Sequence, residues 1–272
     1  MDQREQDDVR TAVREQYGAI ARGEAKSCCG TNCCDASAKL GYADDELAGV
    51  PEGANMGLGC GNPGAIAALR AGEVVLDLGA GGGFDCFLAA RQVGSSGRVI
   101  GVDMTADMVR KARANAATLG TRNVEFRLGE IEHLPVVDVS IDVILSNCVI
   151  NLSPDKEAVF REAFRVLKPA GRLAISDVVA LSPVPAELAT QLSAYTGCIA
   201  GAVEVDALRS VLESVGFADV TVEVDAKSAS FIRDWLPGSN AERYIAAATI
   251  RAVRPEGKAC CGTACCAPEA TA

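Results

Sequence analysis

With 272 residues, 49 % of them apolar, the chain is long enough to bury a sizeable core and too apolar for general disorder. Its net charge of −10 argues against a nucleic-acid-binding surface and against docking on an anionic membrane. No apolar run approaches the roughly 20 residues of a membrane helix. The polar start Met1-Asp2-Gln3-Arg4-Glu5 does not read as a signal peptide, so a cytoplasmic protein with reduced thiols is expected. Twelve cysteines against one histidine, His133, point to thiolate chemistry with a soft partner, and away from a histidine-based triad.

Val9, Val13, Tyr17 and Ile20 are spaced for one face of a helix from about Gln3 to Arg22. A turn-rich cluster follows, with Cys28, Cys29, Cys33 and Cys34. The Gly-, Asp- and Pro-rich stretch from Tyr42 to Asn62 reads as a loop that carries Gly59-Cys60-Gly61, and Pro63 opens a short helix through Leu69. From Glu73 strands and helices alternate. Strands are expected at Val74–Leu78, Arg98–Val102, Val124–Leu128, Asp142–Ser146 and Leu173–Asp177. Helices are expected near Phe84–Val93, Thr105–Leu119, with Thr105 as its cap, and Pro154–Leu167. Lys168-Pro169-Ala170-Gly171 reads as a turn. This rhythm predicts an α/β fold with a doubly wound, mostly parallel sheet.

A further helix over about Asp206–Ser214 stops at Gly216. The late strands Val220–Val224 and Ile245–Val253 suit an antiparallel pair at the sheet edge, with Phe231–Gly238 as a loop between them. The tail repeats the cysteine cluster as Cys260, Cys261, Cys265 and Cys266, and residues 267–272 read as disordered. The expected organisation is a helix and Cys-rich segment over 1–56, a ligand-binding core over 57–180, a part completing the sheet over 181–255, and a flexible Cys-rich tail over 256–272.

The first strand ends in Asp77-x-Gly79-x-Gly81-x-Gly83 and runs into a helix, an arrangement that holds nucleotide-like ligands. A dinucleotide fingerprint starting at Gly79 would need glycine at 84, where Phe84 stands. Asp77 suits a cationic ligand, the alternative being a strand-end cap. Asp103, 20 residues after Gly83, can accept both hydroxyls of a ribose. The pattern resembles the class I S-adenosylmethionine (SAM) methyltransferases. That resemblance implies a turn (Asp77, Gly79, Gly81, Gly83) on the amino-acid end of SAM and Asp103 on its ribose. It also implies an acidic loop, Gly129–Pro135 with Ile131 and Glu132, beside the adenine, and extends the cofactor contacts to Met104 and Asn147. His133 reads as an exposed loop residue.

Cys148 follows the fourth strand at the sheet's ligand-binding edge. Cys60 precedes the first strand, and Cys198 follows the fifth, so the three can converge over one edge. Three thiolates form a pyramidal site that suits trivalent arsenic, whereas zinc prefers four ligands. An arsenic lone pair facing a sulfonium methyl group needs alignment and water exclusion rather than a strong base. Cys86, at a helix start beside the glycine turn, is either a thiol with a depressed pKa or simply packed.

The segments Gly59–Pro63, Asp77–Cys86, Gly101–Thr105, Ser146–Leu152 with Pro154-Asp155-Lys156, and Gly197–Ala202 closely resemble the arsenite SAM methyltransferases. The resemblance implies Cys148 and Cys198 as the arsenic-holding pair and Cys60 as a further catalytic cysteine. It implies a role for one of Cys28, Cys29, Cys33 or Cys34, without choosing among them. Both cysteine clusters, including Cys260, Cys261, Cys265 and Cys266, read as arsenic-capturing arms, the alternative for the second being a tail with no role in turnover. The substrate implied is arsenite or its thiol complex, with glutathione or thioredoxin supplying electrons and mono- and dimethylated arsenic as products. The competing readings are a C- or O-methyltransferase of lipid or quinone type and a metalloid-binding protein without SAM.

Overall fold

The computed structural model describes residues 2–25, 37–38, 40–51, 53–189, 198–235 and 238–256. Both cysteine clusters lie outside the described residues. The helices are α1 (Gln3–Arg22), α2 (Asp44–Ala48), α3 (Pro63–Ala67), α4 (Phe84–Val93), α5 (Ala106–Leu119), α6 (Lys156–Val166), α7 (Ala186–Ala189), α8 (Val205–Val215) and α9 (Ala229–Ile232). The strands are β1 (Val74–Leu78), β2 (Arg98–Asp103), β3 (Val124–Leu128), β4 (Ile141–Asn147), β5 (Leu167–Ala180), β6 (Ala218–Val224) and β7 (Ile245–Val253).

They form a seven-stranded sheet in the order β3-β2-β1-β4-β5-β7-β6. The five strands β1 to β5 pair in parallel, and β7 runs antiparallel to both β5 and β6. The expected antiparallel pair therefore stands at one edge. Strand order reverses between β1 and β4, and a crevice opens there at the carboxyl ends of the strands.

Side-chain alternation divides the core. On β1, Val75 faces one side with Val99, Val143, Phe87 and Val109; Leu76 and Leu78 face the other with Ile144, Val159, Phe160, Leu208 and Leu212. Near-continuous burial of β1 and β4 is what a parallel sheet covered on both faces requires. A third cluster caps the carboxyl end, where Val13 of α1 packs with Cys60, Cys148, Cys198, Ile199 and Ile232.

Local signals account for the boundaries. Asp2 caps α1 in a capping box with Glu5, and Gly23 ends it at φ 76°. Gly120 and Gly216 end α5 and α8 in the left-handed region. Four expectations need correction. The stretch Tyr42–Asn62 contains α2, which the acidic run Asp44-Asp45-Glu46 favours at a helix start. The expected loop from Phe231 begins inside α9. Lys168–Gly171 is not a separate turn: β5 runs through it, with Ala170 at φ 62° and a register shift opposite Ile141/Val143, a bulge in place of a break. Thr105 makes no side-chain cap to α5; its N–H instead donates to Asp103 Oδ1 at 2.8 Å.

Candidate active site

The crevice is a cleft of roughly 1080 Å³ including its open mouth. Of the residues expected to hold the cofactor, Asp77, Gly79, Gly81, Asp103, Met104, Ile131, Glu132 and Asn147 all line it. Gly83 does not. It starts α4 at φ 91°, and a Cβ there would press on the Phe87 and Phe126 rings, so its smallness serves packing. Gly79, at φ 69°, brings the backbone against Val149, whose side chain a Cβ would overlap.

Four carboxylates line this cleft, and three of them, Asp77, Asp85 and Asp103, lie about the glycine turn. Asp77 is buried and accepts the Cys86 thiol at 3.1 Å. Asp103 accepts the N–H groups of Gly81 at 2.9 Å and Thr105. Asp85, which the sequence reading left unassigned, accepts the Tyr42 hydroxyl at 2.6 Å and the Asn147 amide at 3.2 Å. Burial pushes the Asp77 carboxyl well up, helped by Asp85, and raises that of Asp103. Burial pushes Asp85 up to about 6 against the lowering effect of its two hydrogen bonds. No lysine or arginine among the described residues pairs with any of the three. A cluster of buried carboxylates without a cation fits a ligand that brings positive charge, as SAM does with its ammonium and sulfonium groups.

Cys86 is buried and its thiol is pushed well up, first by burial and then by Asp77. That corrects the helix-dipole alternative: the thiol is packed, not activated. His133 is exposed, as expected.

Asn147 turns away from a simple ligand role. Its Oδ1 accepts the Cys60 N–H at 2.9 Å, and its Nδ2 donates to the Gly61 carbonyl at 2.8 Å and to Tyr42 Oη at 3.0 Å. One amide therefore stitches the Cys60 loop to the carboxylate side of the cleft. Glu132 is likewise engaged: Ser153 Oγ donates to it at 2.7 Å, and Arg10 of α1 at 3.3 Å. Arg10, Val13 and Tyr17 place α1 along the cleft.

The three expected cysteines come together at this edge. Cys60 and Cys148 are joined by a disulfide with Cα atoms 5.8 Å apart, which corrects the expectation of thiols alone. Cys198 keeps its thiol and donates to the Cys148 carbonyl at 2.9 Å. All three are buried, and Cys148 lines the cleft. Asp177 near the end of β5 sets a carboxylate oxygen within 4.8 Å of the Cys60 and Cys148 sulfurs. Burial pushes Asp177 up to about 6, opposed by the Val178 N–H and by the Lys156 ammonium. Sequence reasoning missed Tyr42, Asp85 and Asp177. Only Asp85 carried a signal, as a carboxylate in the first turn of the helix that the glycine turn opens.

Comparisons with known proteins bear on the fold and the family. Residues 69–216 match the family model described as a methyltransferase domain. The chain is 48 % identical to an arsenite methyltransferase of Halobacterium salinarum, over 93 % of this chain and 68 % of that protein. It is 42 % identical to one from Aquipseudomonas alcaligenes, over 76 % of this chain, and 34 % identical to one from Mus musculus, over 79 %. It spans 62 % and 59 % of the lengths of those two relatives. Among solved structures, an arsenic(III) S-adenosylmethionine methyltransferase from Chlamydomonas reinhardtii superposes with a TM-score of 0.59 at 31 % identity, covering 84 % of this chain and 74 % of that one. With a class I methyltransferase sheet and three cysteines at its cofactor edge, the chain belongs to the arsenite methyltransferase family.

Proposed function

We infer that the protein methylates trivalent arsenic, presented as arsenite or its thiol complex, with SAM as methyl donor, giving mono- and dimethylated arsenic. The observation that carries this reading is the convergence of Cys60, Cys148 and Cys198 on the edge of a cleft in which Asp77, Asp85 and Asp103 have no cationic partner among the described residues. Bound in that cleft, SAM supplies an electrophilic methyl group on a sulfonium that leaves as a neutral thioether. Asp77 and Asp85 favour the positive charge, Asp103 receives the ribose hydroxyls, and Ile131 and Glu132 border the base.

Cys148 and Cys198 act as the thiolate pair that holds arsenic. Softness matching selects arsenic over hard cations. The arsenic lone pair is the nucleophile, so the site needs no general base. The apolar cluster of Val13, Leu152, Ile199 and Ile232 around the thiols excludes water. Methylation raises arsenic from the trivalent to the pentavalent state, and two electrons return it. Oxidation of two thiols to one disulfide supplies those electrons, and the Cys60–Cys148 disulfide supports that pair as their source. Glutathione or thioredoxin then restores the thiols, which places the reaction in a reducing compartment such as the cytoplasm. Among the described residues no helix is long and apolar enough to cross a membrane.

The test is speciation of arsenic after incubating reduced protein with arsenite, SAM and glutathione. Methylated arsenic is expected from the wild type and not from Cys148→Ser or Cys198→Ser. Full activity in either variant would sink the assignment.

A further inference from the structure

Cys148 and Cys198 approach each other from segments 50 residues apart, and both have left-handed backbone, at φ 57° and 65°. For a non-glycine residue that conformation is strained and persists only where the surroundings over-determine it. On the Cys148 side the surroundings centre on Asn151. Its Nδ2 donates to Asp177 Oδ1 at 2.9 Å and to the Val178 carbonyl at 2.6 Å, so both amide hydrogens are used on β5. Asp177 Oδ2 accepts the Ile150 N–H at 2.9 Å, which fixes the same turn a second time.

The backbone carbonyl of Asn151 is where the Cys198 segment lands. A Cβ at Gly201 would overlap the Asn151 carbonyl oxygen outright, so glycine is there for close approach. The segment is a tight turn, with the Ala202 N–H on the Ile199 carbonyl at 3.2 Å. Its exit is tied to β5 by the Ala180 N–H on the Val203 carbonyl at 2.9 Å. The Cys198 thiol closes the ring on the Cys148 carbonyl. Asn151 is buried and does not line the cleft.

We propose that Asn151 is a positioning residue for arsenic capture. Its side chain anchors the Cys148 turn to Asp177 and Val178, its carbonyl seats the Cys198 turn at Gly201, and together these contacts set the separation of the two thiols. The proposal rests on the reading of Cys148 and Cys198 as the arsenic-holding pair.

Phenylarsine oxide isolates that function, because it condenses with two thiols to a dithioarsinite and one water, with no change in oxidation state. The background is the full chain with Cys60 and the eight cysteines of the two clusters changed to serine, so that Cys148 and Cys198 form the reacting pair. Affinity is read by competition with a small dithiol, SAM binding by calorimetry, and stability by thermal unfolding. Asn151→Ala and Gly201→Ala are expected to weaken phenylarsine binding at least tenfold while SAM affinity stays within threefold. Asn151→Ser, which keeps a donor for one of the two β5 acceptors, is expected to fall between wild type and Asn151→Ala, and it carries the test where Gly201→Ala does not fold. Wild-type phenylarsine affinity in Asn151→Ala, even with a lowered Tm, would overturn the proposal. If the background protein binds no more tightly than its Cys198→Ser derivative, the arsenic-pair reading itself fails, and the proposal with it.

Discussion

The amide of Asn147 is the sharpest point at which to perturb the site, because it joins the Cys60 loop to the cofactor side without being a cysteine or a carboxylate. Asn147→Ala removes two bonds to that loop, the Cys60 N–H at 2.9 Å and the Gly61 carbonyl at 2.8 Å. At about 1 kcal/mol net for each bond, the loop loses about 2 kcal/mol of preference for its present position. At 1.4 kcal/mol per factor of ten, the effective concentration of the Cys60 thiol at Cys148 should fall about 30-fold. The assay equilibrates the protein with glutathione at a series of redox ratios, traps thiols by alkylation, and reads the Cys60 and Cys148 peptides by mass spectrometry. Retention of the wild-type equilibrium within threefold would refute the reasoning. It would mean that the Gly59–Pro63 chain holds Cys60 in place without the amide.

Three other outcomes follow from the geometry. Asp85 carries a carboxyl pushed up to about 6, so it is protonated below that pH when no cationic ligand is present. SAM binding favours the ionised forms of Asp85 and of Asp77, whose carboxyl burial also raises, so the Kd of SAM should weaken at least tenfold per pH unit below about 6. Calorimetry should also show proton release on binding at pH 5; Asp85→Asn should lessen the slope, and a level wild-type profile would refute the account. Gly79→Ala places a Cβ in left-handed backbone, at about 1–2 kcal/mol, and against Val149. It should raise the Kd of SAM at least tenfold, with partial recovery in Gly79→Ala/Val149→Ala; undiminished binding in the single variant would count against the close-approach role. Arg10→Ala leaves buried Glu132 with the Ser153 hydroxyl as its remaining side-chain donor, a loss on the order of 3–5 kcal/mol. Urea unfolding should show most of it restored in Arg10→Ala/Glu132→Gln, and equal losses in single and double variants would exclude the pairing.

The parts legible in the sequence are those governed by neighbours in the chain. Helix α1 begins and ends where Asp2 and Gly23 say it should, and β1, β3 and β7 keep their expected bounds, because caps and apolar runs act locally. That these residues line one cleft was equally readable, since Asp77, Gly79, Gly81 and Asp103 sit on or just past two adjacent strand ends whose register aligns Asp77 with Gly101. Contacts across the sheet edge were not legible. Tyr42 lies in a polar stretch with no period, yet its hydroxyl reaches Asp85, 43 positions on. Asp177 looked like the polar end of a strand. It is a buried acceptor for a turn 26 residues earlier. The sequence likewise could not tell a thiol from half of a disulfide at Cys60, because that depends on a pairing 88 residues distant.

Asn147 and Cys148 show how such contacts arise from one local departure. Consecutive side chains on a strand point to opposite faces, so a regular β4 would send one of the two away from the cleft. Cys148, at φ 57°, ends the alternation one residue after β4 stops, and both side chains then line the same space. The backbone N–H of Cys148 still reaches the Ser176 carbonyl at 2.8 Å, so the turn stays fastened to β5 while it changes direction. Strain at this position is therefore not incidental to the chemistry. It puts the amide that holds Cys60 and the sulfur that bonds to Cys60 on neighbouring residues, facing the same way. With regular strand geometry at position 148, the sulfur would point to the face opposite that amide.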